Sequence, residues 1–117
     1  MATRTAILPP TASRTYSFDV PEDGVYRLAF RVIITGGSDS FWVRIPGMVT
    51  NTLNHASGWV RFNGIEPGDT WHWDEVHSWE PDESFQLVDF TLSAGTHTLE
   101  VAQREDGALL DAIALMQ

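Results

Sequence analysis

Tryptophan is the residue type whose number and spacing in this sequence point most directly to chemistry. The 117 residues include five tryptophans, and four of them lie between positions 59 and 79. A hydrophobic core accommodates one or two indoles readily, but every buried indole N–H needs a hydrogen-bond partner. So dense a group predicts that some of the rings face solvent and contact a ligand. The full set is Trp42, Trp59, Trp71, Trp73 and Trp79.

Trp71 and Trp73 are separated by one residue in a segment that reads as a strand. If Val76 points into the core, the two indoles point outward together, about 7 Å apart along the strand. His72 and Asp74 then share the core side, where polar side chains are poorly suited. We therefore expect a bulge or a twist to interrupt this segment.

A pair of outward-facing indoles suits a sugar ring. The C–H-rich face of a pyranose is weakly apolar and slightly positive, so it stacks on an electron-rich aromatic face. Neighbouring carboxylates, amides and guanidiniums then bind the hydroxyl groups. In the predicted strand 41–45, alternation places Trp42 and Arg44 together on the side opposite Phe41, Val43 and Ile45.

The alternative is that these aromatic rings are structural. The paired indoles would then cover a loop or pack beneath the long loop at 46–58. For Trp42 the two roles are equally open, and for Trp59 and Trp79 a structural role is favoured.

The sequence gives weaker signals for catalysis and for metal binding than for ligand binding by tryptophan. The chain has no cysteine, which removes thiol nucleophiles and thiolate ligands. Its acidic residues show no pattern that singles out an acid–base pair, and we expect no enzyme activity. His72 and His77 lack the zinc-protease spacing. Asp111, inside an apolar run, is the candidate ligand for a structural calcium ion, with a capping role as the alternative.

The charge narrows the class of partner. Sixteen acidic and seven basic residues give a net charge of −9, which repels phosphate backbones and anionic lipid surfaces. We therefore expect neither a nucleic acid nor a membrane as partner. Between Glu66 and Asp89 there are eight acids and no arginine, so a neutral glycan fits the tryptophan-rich region best. The alternative is a local positive groove on a sheet face, formed by Arg27, Arg31, Arg44 and Arg61.

The elements that must position these residues read as strands. Alternating, β-branched and aromatic segments recur about every ten residues, with turn-forming residues between them. This pattern predicts an all-β fold, a jelly-roll β-sandwich of about eight antiparallel strands in a single domain over 1–117. Residues 1–13 are either a tail or contain an edge strand, Thr3 to Leu8. The predicted strands are 15–20, 25–34, 41–45, 58–62, 71–76, 85–92, 97–102 and 109–116.

Several segments resemble the carbohydrate-binding modules of families 6 and 35, which are galactose-binding-domain-like sandwiches. The resemblance rests on four segments and spans about Thr15 to Leu115. The segments are Asp39 to Ile45, Trp71-His72-Trp73, Ser93 to Val101, and Arg104 to Gly107 continuing into Leu110 to Leu115.

The resemblance implies a non-catalytic module that binds polysaccharide or oligosaccharide in a cleft at one end of the sandwich. Trp71 or Trp73 matches the family's stacking tryptophan. The loop 36–40, with Asp39, and the turn 105–108, with Asp106, would flank the cleft. Asp111 matches the family's C-terminal aspartate, and the resemblance therefore makes it the expected ligand of a structural calcium ion.

The sequence also departs from the family pattern in two places. Leu109 stands where family 6 often has a sugar-binding asparagine, and the acidic pair usual near the N-terminus is missing. The resemblance further implies an extracellular, secreted protein in which a catalytic domain of the same parent chain is the partner. Two alternatives remain: a protein-interaction or cell-surface sandwich, and a small polysaccharide-degrading enzyme.

Overall fold

The computed structural model describes residues 3–5, 13–35, 40–52, 54–79, 85–104 and 108–117. They form antiparallel strands and one 3₁₀ turn, Ala56–Gly58. The strands are β1 (Thr3–Thr5), β2 (Ser13–Val20), β3 (Gly24–Ile34), β4 (Phe41–Arg44), β5 (Val49–Thr50), β6 (Val60–Phe62), β7 (Gly68–Glu75), β8 (His77–Ser78), β9 (Gln86–Leu87), β10 (Phe90–Leu92), β11 (Gly95–Gln103) and β12 (Leu109–Met116).

Two main sheets form the sandwich. The larger has the order β1-β12-β3-β10-β5, with β7 also paired to β3. The smaller has the order β2-β11-β4-β6, and β8 pairs with β9 in a separate ribbon. We call the two main sheets the six-stranded and the four-stranded sheet.

The core lies between these sheets, and the alternation of side chains along the strands directs one side of each sheet into it. Phe30 in β3 points inward and is fully buried, whereas its neighbour Arg31 points outward and is partly exposed. The ring of Phe30 meets Phe41 and Phe62 of the four-stranded sheet edge-on, with centroids 5.8 and 5.4 Å apart. These aromatic contacts join the two sheets.

The predicted all-β sandwich is confirmed, and several boundaries differ from the prediction. The segment predicted as one strand, 85–92, is two, because Val88 donates to the carbonyl of Val76 and the chain changes partners there. Its first part pairs with β8 and its second with β3. The predicted loop 46–58 contains β5 and the 3₁₀ turn. Because of these additional short strands, the number of strands exceeds the predicted eight.

The predicted edge strand near the N-terminus is present as Thr3–Thr5, paired with β12. The remainder of that prediction, residues 6–8, lies outside the described residues. No described helix has the length and apolarity needed to cross a bilayer.

Candidate functional site: two tryptophan surfaces on opposite sheets

Strand β7 has the sidedness that the sequence predicts. His72 lies opposite Val32 and Asp74 opposite Phe30, which are core positions of β3, whereas Trp73 lies opposite the outward-facing Arg31. The predicted irregularity is also present, since the register between β3 and β7 shifts next to Val32. The indoles of β7 therefore belong to the outer face of the six-stranded sheet.

Four residues form a contiguous cluster on this face, which we call the β7 cluster: Trp71, Trp73, Arg31 and Asp111. Trp73 is 50% exposed. The Arg31 guanidinium carbon lies 5.7 Å from the centre of the Trp71 ring. An Arg31 guanidinium nitrogen (Nη1) also lies 3.3 Å from Oδ2 of Asp111. Arg31 thus joins the partly buried indole to the carboxylate.

Asp111 occupies an irregular position in β12. The register with β3 shifts between Leu110 and Ala112, so Asp111 stands at a bulge instead of in the regular alternation. Its side chain is 13% exposed, and its Oδ1 atom is buried with no hydrogen-bond partner among the described residues. A buried acceptor of this kind calls for a donor.

Hydrogen bonds explain how a histidine and an aspartate can occupy the core side of β7. Nδ1 of His72 lies 3.0 Å from the Thr70 carbonyl oxygen, and Nε2 lies 2.8 Å from that of Glu66. Asp74 accepts a bond from the Glu66 backbone N–H at 3.4 Å. The His72 ring also lies so close to Gly68 that a Cβ there would sit 3.3 Å from it. Both side chains therefore hold the loop that leads into β7.

Asp74 also has an altered ionisation. Burial raises the pKa of its carboxyl above the ordinary value, while the nearby His77 and the Glu66 backbone bond oppose that rise. Oδ1 of Asp74 lies 3.5 Å from Nδ1 of His77. His77 is buried, and its Nδ1 lies 2.8 Å from the Glu75 carbonyl oxygen.

The second tryptophan surface lies on the outer face of the four-stranded sheet. An open groove of about 360 Å³ there has mostly apolar walls, and we call it the β4 groove. Trp42 of β4 lies opposite Arg61 of β6 on one side and opposite Ala102 of β11 on the other. Trp59 is two residues before Arg61 and is therefore a diagonal neighbour of Trp42. The groove is lined by Trp42, His55, Ala56, Trp59 and Ala102.

Charged side chains stand against both indoles of this groove. The Arg44 guanidinium carbon lies 4.3 Å from the centre of the Trp59 ring, and that of Arg104 lies 5.9 Å from the centre of Trp42. Glu100, directly opposite Arg44 in β11, accepts a 2.5 Å ion-pair contact from it. Both partners of this pair are mostly buried.

The predicted site residues therefore do not form one site. Trp42 and Arg44 share a face, as predicted, but that face is on the opposite side of the sandwich from Trp71 and Trp73. Asp39 and Asp106 lie outside the described residues.

Two tryptophans expected to be structural have exposed surface. Trp59 lines the β4 groove, and Trp79 is 51% exposed, with its ring 5.9 Å from that of Phe85. Trp59 falls inside the predicted strand 58–62, but β6 begins at Val60, and Trp59 directly follows the 3₁₀ turn.

The described residues do not by themselves supply a calcium site. No three of their aspartate, glutamate or histidine side chains converge in a way that could hold a metal ion. Calcium takes six to eight oxygen ligands, whereas Asp111 offers one carboxylate and already shares it with Arg31.

Comparison with known proteins gives a fold relationship. No model of a known protein family matches the sequence, and no curated protein matches it. A solved structure of a ruminal GH26 endo-β-1,4-mannanase is similar, with a TM-score of 0.55 and 16% sequence identity. The similarity covers 92% of this chain and 18% of that chain. This chain thus corresponds to a small part of the mannanase structure, and the likeness concerns the fold.

Proposed function

We propose that the protein is a non-catalytic carbohydrate-binding module, similar to families 6 and 35, which holds a partner catalytic domain near polysaccharide. The observation that carries the proposal is the β7 cluster, in which two indoles on the solvent side of one strand adjoin an arginine–aspartate pair. The exposed ring supplies a stacking surface. The arginine and the carboxylate supply a donor and acceptors for sugar hydroxyls.

The charge around the β7 cluster supports a neutral glycan as its ligand. Besides Asp74, which lies on the core side, strand β7 and its flanking segments carry Glu66, Asp69 and Glu75 and no arginine. Arg31 is the nearby cation, and it is already paired with Asp111. An anionic sugar would therefore meet like charges in a partly dry site.

The similar solved structure supports a polysaccharide ligand and suggests which one to try first. Its title describes an endo-β-1,4-mannanase, and this chain covers only a minor part of it. We therefore propose that this chain is likewise one domain of a longer, secreted enzyme that acts on polysaccharide. Tethering such an enzyme to its substrate raises the local substrate concentration.

Affinity electrophoresis against soluble neutral polysaccharides, beginning with β-1,4-mannan, tests the proposal. We expect retention on at least one of them, accompanied by a change in tryptophan fluorescence when oligosaccharides of the same type are added. Migration unchanged by every polysaccharide in the panel, with unchanged fluorescence, would exclude the proposal.

A second candidate function, protein interaction, rests on a different observation. Val25, Thr91 and Val49 are aligned across three strands on the outer face of the six-stranded sheet. The two valines are exposed, and exposed apolar patches occur at protein interfaces. Light scattering over a range of concentrations tests self-association through this row, and a monomer throughout would leave glycan binding as the better supported function.

A further inference from the structure

We propose that Arg31 is a positioning residue of the β7 cluster: its guanidinium, held by the Asp111 carboxylate, sets the orientation of the Trp71 ring beside Trp73. Arg31 then acts on a bound glycan through an indole as well as through its own N–H groups. The inference rests on the proposed function and deepens it, because the contact matters for binding only if the β7 cluster takes a glycan. The orientation of the ring is testable without any ligand.

An extra residue interrupts the pairing of β3 with β12 next to Arg31. Leu110 lies opposite Val32 and Ala112 lies opposite Arg31, so two steps along β12 correspond to one step along β3. Asp111 is the extra residue, and its Oδ2 atom lies 3.3 Å from Nη1 of Arg31. Bulges of this kind redirect a side chain and are common next to functional sites. Here the bulge directs a carboxylate to Arg31.

A second irregularity lies on the other side of β3, in β7. Val32 lies opposite His72, and two residues further along β3 the partner is Gly68, four residues back along β7. Trp71 lies between these two pairs, where the described part of β3 provides no directly opposite Cα partner. The regular pairing that places Trp73 therefore does not place Trp71, and the orientation of the Trp71 ring depends on its side-chain contacts.

Arg31 makes such a contact with Trp71. It lies directly opposite Trp73, so the Cβ atoms of these two residues are about 4.5–5.5 Å apart. Its guanidinium carbon lies 5.7 Å from the centre of the Trp71 ring, within the range of an attractive cation–π contact. A planar guanidinium can stack on an aromatic face while its N–H groups bond a carboxylate. Arg31 therefore joins the irregular part of β12 to the irregular part of β7.

Arg27 provides a matched control on the same strand. It lies on the same face of β3 as Arg31, four residues earlier, and its Nε lies 2.8 Å from Oδ1 of Asp89. The two arginine side chains have nearly equal exposure, 43% for Arg27 and 41% for Arg31. Within the described part of the chain, only Arg31 of the two lies over a tryptophan ring. Arg27→Gln thus removes the same charge and the same kind of ion pair without removing a contact to an indole.

Indole N–H signals in two-dimensional NMR test the orientation without a ligand, and Trp71→Phe assigns the Trp71 signal. We expect Arg31→Gln to shift that signal, and Asp111→Asn to shift it as well, because the carboxylate acts on the ring through Arg31. In the Arg31→Gln background, Asp111→Asn should shift it no further. Arg27→Gln should leave it in place. An unchanged Trp71 signal in Arg31→Gln, or an equal shift in Arg27→Gln, would contradict the proposal.

Arg31→Lys keeps the test decisive if Arg31→Gln fails to fold. The lysine retains a positive charge for the mostly buried Asp111 carboxylate, so the melting temperature should stay close to that of the wild type. Its ammonium group lacks a planar face, and the Trp71 signal should therefore still shift. A Trp71 signal identical to that of the wild type would overturn the proposal.

A double-mutant cycle tests what the contact does for binding. Soluble β-1,4-mannan is the first probe, followed by the other neutral polysaccharides, and affinity electrophoresis is the measurement. Arg31→Gln and Trp71→Ala should each weaken retention. The double variant should lose about two- to fivefold less than the product of the two single losses, the scale of one partly exposed cation–π contact. Arg27→Gln should keep full retention. Losses that multiply in full would mean that Arg31 acts on the glycan only directly, and the positioning role would be wrong.

The two tests distinguish failure of this inference from failure of the proposed function. If no polysaccharide retains the wild type, the proposed function is wrong, and the Trp71 signal of the ligand-free variants still decides whether Arg31 orients the ring. If a polysaccharide is retained but the Trp71 signal does not respond to Arg31→Gln, the proposed function stands and the positioning role of Arg31 is wrong.

Discussion

The indole of Trp73 is the single side chain on which the proposed glycan binding depends most. It is half exposed and projects from a strand whose other face is anchored in the core. Trp73→Ala should therefore weaken retention on the bound polysaccharide by roughly 1–3 kcal/mol, the scale of aromatic stacking on nucleic acid bases. Affinity electrophoresis measures the change, and the melting temperature should stay close to that of the wild type because the ring is not part of the core.

Trp79→Ala is the matched control for that substitution. Its ring has nearly the same exposure, 51% against 50% for Trp73, so both changes remove a similar apolar surface. We expect Trp79→Ala to keep full retention on the polysaccharide. Equal losses for the two variants, or no loss for Trp73→Ala, would remove the β7 cluster as the stacking site.

Asp111 is the residue at which a structural calcium ion would bind. The carboxylate has one oxygen near Arg31 and the other buried without a partner among the described residues. A structural calcium ion there remains a proposal. Since the described residues offer so few oxygen ligands, we expect EDTA to leave both glycan retention and the melting temperature unchanged. A large fall in melting temperature, reversed by Ca²⁺ and absent in Asp111→Asn, would contradict this expectation and assign the ion to Asp111.

Alternation along a strand made part of the site predictable from sequence. It correctly placed Trp71 and Trp73 on one side of β7, and Trp42 with Arg44 on one side of β4, because consecutive side chains in a strand point to opposite faces. The predicted strand 58–62 included Trp59, but its place in a groove with Trp42 and Ala102 was not predicted, because those residues are distant in the sequence. Trp59 directly follows the 3₁₀ turn Ala56–Gly58, in which Gly58 has a φ of 85°.

At the level of secondary structure, Asp74 links β7 to the loop before it at a cost in stability. Burial is the largest cause of its raised pKa, so the fold favours the protonated carboxyl. This contribution to stability is fully present below about pH 4, the ordinary range of an aspartate. It is lost as the pH rises through the folded-state value. Asp74→Asn keeps an oxygen acceptor for the Glu66 N–H and removes the ionisation.

Asp74→Asn should therefore raise the melting temperature by a few degrees at pH 7 and have little effect below pH 4. Melting curves recorded from acidic to neutral pH measure the difference between variant and wild type. A variant that is less stable at pH 7 would show that the interaction of Asp74 with His77 outweighs burial.

The strands themselves were largely predictable, whereas their pairing was not. Turn residues such as Pro21 and Gly24 separate alternating segments, and this local signal located β2, β3, β11 and β12 within a few residues. The division between β9 and β10 depends on Val88 bonding to Val76 of a distant segment. No local pattern encodes this change of pairing partner from β8 to β3. The sequence pattern therefore predicted one strand where the structure has two.

At the scale of the whole molecule, the outer faces of the two sheets differ in the charged residues that they carry. Among the described residues, the outer face of the six-stranded sheet carries Arg27 and Arg31 together with Glu75, Asp89 and Asp111. The arginines around the β4 groove belong to the opposite sheet. At physiological salt, a field decays within about 8 Å. The sandwich is 22 Å across in its shortest dimension. The charges on one face therefore have little influence on a ligand at the other, and the net charge does not by itself decide which ligand either face would favour.

The two sides of strand β7 also determine whether an acid can reach a sugar bound at the β7 cluster. A glycosidase needs a carboxylic acid with a raised pKa directed at the bound sugar, usually paired with a second carboxylate. Asp74 has a raised pKa, but it lies on the core side of β7, whereas Trp73 lies on the solvent side. A sugar stacked on that indole is thus separated from the acid by the strand.

We accordingly expect the protein to release no reducing ends from any polysaccharide that it binds, at neutral or at acidic pH. A reducing-sugar assay after long incubation, with a known hydrolase as positive control, measures this directly. An absorbance assay for unsaturated products covers cleavage by elimination. Release that persists through purification and is abolished in Asp74→Asn, while the binding affinity is unchanged, would show that β7 presents its acid to the substrate and that the protein is an enzyme.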